Sequence, residues 1–180
     1  MPTVPVIIGS TRRGRQTPKV ARFVMARMKV AGLWPEAVDL AELQLPFLEE
    51  RLKYLPEPPE SVVRFGQIIG RCRAFVVVSP EYNGGCPGVL KNALDYLNEQ
   101  FEDKHVGIIT VSSGPNGGAG CRDMLTRAFM RLGAVTMAAS FSVNKVQETF
   151  RDDGTTGVSE YVRAVDVFIA ELRAKAGERA

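Results

Sequence analysis

Four consecutive residues, Phe75-Val76-Val77-Val78, are large, apolar and either aromatic or β-branched. A strand built from them has no wet face, because alternate side chains of a strand point to opposite sides of the sheet. Such a run belongs inside a parallel sheet covered by helices on both faces. Its flanks agree. A helical pattern over residues 60–71 leads in, the strand spans 74–79, and Pro80 follows it.

The same alternation recurs along the chain. A strand over residues 4–8 is followed by a polar loop, 9–17, and a helix over 18–31. Thr17 offers that helix a cap, Pro18 suits its first turn and Gly32 ends it. A second strand covers 36–40, and an irregular proline-containing stretch runs to residue 59. Trp34, just before that strand, reads as core or edge packing. Loop 80–86 leads to a helix over 87–98 with Val89, Leu90, Ala93, Leu94 and Leu97 on one side. A fourth strand spans 105–111, loop 112–118 follows, then a helix near 119–132 and a fifth strand near 135–141. The last helix carries Val158, Tyr161, Val162, Val165, Phe168, Ile169 and Leu172 on one stripe. Five alternations within 180 residues predict one α/β domain, residues 1–180, with a parallel sheet between two helical layers.

Several function classes fall away. The apolar runs are five or six residues long, too short to span a membrane. The start, Met1-Pro2-Thr3-Val4-Pro5, has no basic segment ahead of its apolar run, so no signal peptide is expected. Cys72, Cys86 and Cys121 form no Cys-x-x-Cys pair, which argues against disulfides and thiolate zinc and for a reducing, cytoplasmic setting. Cys86 itself reads as a packing residue. His105 is the only histidine and stands at a strand entrance, so histidine triads and multi-histidine metal sites are unsupported. No metal site is expected. Any redox or group-transfer chemistry would then belong to a cofactor. A net charge of +3, with no long basic run, does not suit a dedicated nucleic-acid binder.

In open parallel sheets ligands sit beyond the carboxyl ends of the strands, where the strand order reverses. The loops after strands one, three and four should meet there. The first, Gly9-Ser10-Thr11-Arg12-Arg13-Gly14-Arg15-Gln16-Thr17, runs into a helix amino terminus, which attracts anions. Hydroxyls of Ser10 and Thr17, the Gln16 amide and the Arg12 guanidinium can surround one phosphate, with Arg15 adding charge. The dinucleotide fingerprint is absent, and Arg15-Gln16 stand where a P-loop needs Lys and Ser or Thr. A monophosphate held without metal fits better. The second loop, Ser79-Pro80-Glu81-Tyr82-Asn83-Gly84-Gly85-Cys86-Pro87, can present backbone N–H groups to a flat heteroaromatic ligand. The third, Ser112-Ser113-Gly114-Pro115-Asn116-Gly117-Gly118, offers hydroxyls and close backbone approach.

These motifs resemble the NADPH-dependent FMN reductase family, with its related quinone, azo and chromate reductases. The resemblance rests on Gly9-Ser10 with Arg12, on Pro80-Glu81-Tyr82-Asn83-Gly84 continuing through Lys91-Asn92-Ala93-Leu94-Asp95, and on Ser112-Ser113-Gly114 with Gly117-Gly118. It extends from the first strand to about residue 134, and Cys86 stands where the family commonly has an aliphatic or aromatic residue. It implies a flavodoxin-like three-layer sandwich with a five-stranded parallel sheet in the order 2-1-3-4-5. It implies that Ser10, Arg12 and Thr17, helped by Gln16, hold the FMN phosphate. Pro80, Glu81, Tyr82 and Asn83, with Gly84, would line the isoalloxazine edge, and Ser112, Ser113, Gly114, Gly117 and Gly118 would support the ring.

The expected activity is hydride transfer from NADPH or NADH to FMN N5, then electron transfer to a quinone, free flavin, azo compound or metal oxyanion. Backbone N–H groups from Asn83 to Gly85 are candidates for stabilising charge that develops near N1 and O2. No catalytic side chain is required. A noncatalytic flavodoxin-like electron carrier is the alternative, but carriers of this kind tend to be acidic and this chain is net basic. A homodimer or homotetramer is expected through the helices over 87–98 and 119–132. Tyr96, Phe101, Met124, Phe129 and Met130 exceed the apolar groups that one core-facing stripe requires.

Overall fold

A computed structural model of the chain describes residues 3–177; Met1 and Pro2, part of the run read above as lacking a signal peptide, and residues 178–180 lie outside the described residues. Strand β3 (Ala74–Pro80) takes the central place that its apolar run demands. It pairs in parallel with β1 (Thr3–Ile8) on one side and β4 (His105–Val111) on the other. Phe75, Val76, Val77 and Val78 are wholly buried. The order continues outward to β2 (Trp34–Asp39) beyond β1 and to β5 (Val135–Thr136) beyond β4. All pairings are parallel, which gives the order 2-1-3-4-5 of a flavodoxin-like sandwich.

Alternation along each strand feeds two separate cores. Val76 and Val78, with Val4, Val6 and Ile8, pack under α1 (Thr17–Val30) and α7 (Ser159–Gly177). Phe75 and Val77, with Ile7, pack under α3 (Glu60–Arg71), α4 (Gly88–Tyr96) and α5 (Ala119–Arg131). Burial of this apolar area is the main stabilising term. Pro5 lies within β1, and pairing with β3 starts one residue later at Val6, where an N–H is available again.

The structure departs from the sequence reading in four places. The second strand begins at Trp34 and ends at Asp39, because Asp39 accepts the Ala41 N–H at 3.0 Å and caps a short helix, α2 (Leu40–Leu43). Trp34 opens this edge strand and is 62% exposed, so it is no core residue. The fifth strand is broken in two. After β5 the chain leaves the ladder and rejoins β4 as β6 (Phe141–Val143). The N–H groups of Ala138 and Ala139 donate instead to the Glu171 carboxylate on α7, at 3.1 and 2.7 Å.

The surplus apolar groups assigned to self-association are largely internal. Phe101 and Phe129 are fully buried and pack with Phe75, ring centroids 5.5–5.8 Å apart. Tyr96 is 2% exposed, and its hydroxyl donates to the Phe47 carbonyl at 3.0 Å. Of the five named residues only Met130 is strongly exposed, and Met124 is half-buried. Among the described residues no helix is long and apolar enough to cross a membrane, and no His, Cys, Asp and Glu cluster could hold a metal ion.

Candidate functional site

The carboxyl ends of β1, β3 and β4 lie side by side, so the three loops named above meet at one edge of the sheet. The first is anchored at its start by the Gly9 N–H, which donates to the Val78 carbonyl at 2.9 Å. A Cβ at Gly9 would come within 2.9 Å of the Leu90 side chain, so the loop leaves the strand with α4 close behind it. Ser10 is fully buried, and its hydroxyl lies 2.7 Å from the Tyr82 hydroxyl and accepts the Arg12 N–H at 3.3 Å. The Arg12 guanidinium stands 5.9 Å from the Tyr82 ring centre and forms no ion pair among the described residues.

Arg15 has a different partner from the one expected. Its guanidinium grips the Asp39 carboxylate in a two-pronged pair, at 2.5 and 2.7 Å, and also donates to the Ser10 carbonyl at 2.6 Å. The hydrogen bond to Asp39 holds its pKa above the usual arginine value. Arg15 therefore braces the loop against the end of β2.

Thr17 does not cap α1. It is the first residue of the helix, Gln16 holds the cap position, and no side-chain cap bond forms. The Thr17 hydroxyl is buried with no hydrogen-bond partner, and so is the Gln16 side-chain oxygen. The Gln16 side-chain N–H donates to the Gly14 carbonyl at 2.7 Å. Pro18 has no N–H and that of Lys19 bonds the Gln16 carbonyl at 3.1 Å, so the Thr17 hydroxyl and the Gln16 oxygen are the unsatisfied buried side-chain groups at this end of α1.

The second loop is a tight hairpin. The Tyr82 N–H donates to the Gly85 carbonyl at 2.8 Å, and the Gly85 N–H returns to Tyr82 at 3.1 Å. Between them Asn83 and Gly84 have φ of 51° and 82°. Positive φ at both central residues is the mark of a type I′ turn, which Asn-Gly favours. The Gly85 N–H is thus occupied within the hairpin, while those of Asn83 and Gly84 have no hydrogen-bond partner among the described residues. The Glu81 carboxylate is also engaged: it accepts the Cys121 N–H of α5 at 3.0 Å.

In the third loop the Ser112 hydroxyl accepts the Gly114 N–H at 2.9 Å, and the Ser113 hydroxyl accepts from the Gln147 side chain at 2.8 Å. Gly117 and Gly118 are buried and turn inward. A Cβ on Gly117 would lie 2.7 Å from Ser142, and one on Gly118 would lie 3.0 Å from Thr110. Both also have positive φ, so local packing and conformation explain these glycines.

Between the loops lies a cleft of about 100 Å³. Ser10, Arg12, Arg15, Gln16 and Thr17 wall one side, Pro80, Glu81 and Tyr82 the second, Ser112 and Ser113 the third. Asn83, Gly84, Gly114, Gly117 and Gly118 fall outside these walls. Val146 and Gln147 complete the enclosure from α6 (Val146–Thr149), a helix of four residues with no sequence signal of its own. Two cations, of which Arg15 is paired with Asp39, together with a helix amino terminus and unpaired hydroxyl and amide groups, suit a small anion such as a phosphate.

A family model described as NADPH-dependent FMN reductase matches residues 2–148. An NAD(P)H-dependent FMN reductase of Saccharomyces cerevisiae is 31% identical over 136 residues, covering 68% of this chain and 70% of its own. A quinone reductase of Pseudomonas putida is 32% identical over 135 residues, covering 72% and 70%. Among solved structures, the flavoenzyme NAD(P)H:(acceptor) oxidoreductase of Paracoccus denitrificans superposes with a TM-score of 0.82 at 24% identity, covering 97% of this chain and 99% of that one.

Proposed function

The chain belongs to the NADPH-dependent FMN reductase family, and on that premise we propose that it holds FMN in this cleft and oxidises NAD(P)H with it. Held there by Ser10, Arg12 and Thr17, FMN would supply two-electron redox chemistry between a reduced nicotinamide and a small acceptor such as a quinone, free flavin, azo compound or metal oxyanion.

The observation that carries the reading is the buried Thr17 hydroxyl with no partner at the amino terminus of α1, lining the same cleft as the fully buried Ser10. An unsatisfied buried hydroxyl costs about 1–3 kcal/mol, and a phosphate oxygen in the cleft would remove that cost. Ser10 fits the same role. With Tyr82 as donor and the Arg12 N–H as second donor, the Ser10 hydroxyl hydrogen is left for the ligand. Arg12 adds a charge-assisted bond, and the amino end of α1 adds its dipole, although Pro18 has no N–H and that of Lys19 goes to the Gln16 carbonyl at 3.1 Å. Arg15 and Gln16 stand in the same wall and fix the shape of the loop through Asp39 and Gly14.

For the ring, Pro80 and Tyr82 offer a flat wall. The unpartnered N–H groups of Asn83 and Gly84 are the donors available to negative charge developing at the pyrimidine edge. Ser112 and Ser113, the latter held by Gln147, form the facing wall. Self-association belongs to the same proposal, resting on Phe47 and Leu48, which stand exposed where Asn92 and Tyr96 of α4 hold their loop. A monodisperse 19.7 kDa species in light scattering would defeat that part.

The purified protein should release FMN on heating, identified by mass, and should oxidise NADPH or NADH alone when a quinone is supplied. FAD as the released flavin would overturn the cofactor assignment. FMN release with no NAD(P)H oxidation would turn the reading into that of an electron carrier.

A further inference from the structure

The hairpin that faces the cleft rests on α5. Glu81 donates nothing there; its carboxylate accepts the Cys121 N–H in the first turn of α5 at 3.0 Å. The helix lacks a cap of its own. Gly118 occupies the cap position with φ +82° and has no side chain to offer. Glu81 therefore satisfies a first-turn N–H across forty residues of sequence and places a negative charge at the positive end of the helix. Two further contacts follow the same seam. Gly120 meets the Gly84 carbonyl so closely that a Cβ would fall 2.7 Å from it. The Cys86 N–H points at the Met124 sulfur at 3.4 Å, and a Cβ on Gly85 would lie 3.0 Å from that sulfur.

We propose that Glu81 is a positioning residue: by capping α5 from the preceding loop, it fixes the Tyr82–Gly85 hairpin in the place where the flavin ring is to lie. This rests on the FMN reading above. The cap and the Gly84–Gly120 contact act together. The hydrogen bond holds one end of the hairpin, and the missing Cβ lets its turn settle onto the helix. Neither contact reaches the first loop directly; the hairpin meets that loop only through Tyr82, whose hydroxyl lies 2.7 Å from that of Ser10 and whose ring stands beside Arg12. Glu81 consequently acts first on ring placement and reaches the phosphate side only through Tyr82. Its requirement is for an acceptor oxygen, which a glutamine also supplies.

The test compares Glu81→Ala, Glu81→Gln and Gly120→Ala with the parent protein. In flavin-free protein, hydrogen exchange of the Cys121 amide should quicken at least about tenfold in Glu81→Ala, in line with loss of one charge-assisted bond. The FMN dissociation constant should rise about tenfold, while binding of inorganic phosphate, which meets the hairpin only through the Tyr82–Ser10 contact, should change less, by no more than about threefold. Glu81→Gln should restore both readouts to within about threefold. Gly120→Ala covers the case in which Glu81→Ala fails to fold. Alanine is the better helix former, so the fold should persist while FMN binding weakens as the turn is pushed away.

Unchanged Cys121 exchange and FMN affinity in Glu81→Ala would overturn the proposal, as would a glutamine variant no better than alanine. Unchanged FMN affinity in Gly120→Ala would overturn it too. If the parent protein binds no FMN, the functional reading falls, while Cys121 exchange still decides whether Glu81 holds the hairpin on α5.

Discussion

The first loop and the hairpin after β3 form two adjoining walls of one cleft and treat their polar groups in largely opposite ways. At the end of the first loop the Thr17 hydroxyl and the Gln16 oxygen are buried and unpaired, and Arg12 has no anionic partner among the described residues. In the hairpin, Tyr82 and Gly85 satisfy each other, Glu81 is taken up by Cys121, and Cys86 donates to Met124. A loop with unmet hydrogen-bonding capacity gains most from a ligand. A loop whose polar groups are mostly paired, as the hairpin's are apart from the Asn83 and Gly84 N–H groups, gains less and holds its shape. Affinity should therefore reside in the first and orientation in the second.

Substitutions can break that division. Arg12→Ala should have the largest effect, a loss of about 1.5–3 kcal/mol in FMN binding, measured by titration at fixed ionic strength. An unchanged dissociation constant would remove Arg12 from the phosphate site. Thr17→Val should act in two directions. It removes an unsatisfied buried hydroxyl, so the flavin-free protein should gain about 1 kcal/mol in urea unfolding, while FMN affinity falls by a similar amount. A variant destabilised without flavin would mean that the hydroxyl has a partner after all.

On the hairpin side, Asn83→Ala puts a side chain less suited to left-handed φ at 51° and should cost about 1 kcal/mol of stability. Asn83→Gly should cost nothing, and equal losses in the two would contradict the type I′ assignment. The smallest effect concerns the thiols. Burial pushes Cys121 up to about 12 and Cys72 up to about 11, whereas an unfolded thiol titrates near ~8.5. The folded values are the higher ones, so the contribution of these protonated thiols is complete below about pH 8.5 and declines as pH rises toward 11–12. At pH near ~9, iodoacetamide should label the half-buried Cys86 ahead of both, as peptide mass mapping would show.

Elements with a dense local pattern were legible to the residue: 60–71 and 105–111 coincide with α3 and β4. What escaped depends on contacts far away in sequence. Nothing near Ala138 announces that Glu171 takes its N–H and breaks the fifth strand. Tyr96 looked superfluous because helical spacing puts it off the apolar stripe, yet the loop carrying Phe47 folds over it. The cleft divides the same way. Hydroxyls, glycines and prolines at three strand ends marked its location, since their chemistry is local. The pairing of Arg15 with Asp39 and the arrival of Val146 and Gln147 are products of the finished fold.

Trp34, the sole tryptophan, opens β2 in register with Thr3, while the cleft begins past Ile8. Five residues of strand at about 3.3 Å each set indole and cleft roughly 17 Å apart. At that separation a bound flavin cannot touch the indole, yet its absorption overlaps indole emission and drains it through space. The edge of the sheet thus carries a built-in optical reporter, one that brightens or dims with occupancy while standing clear of the groups that create it.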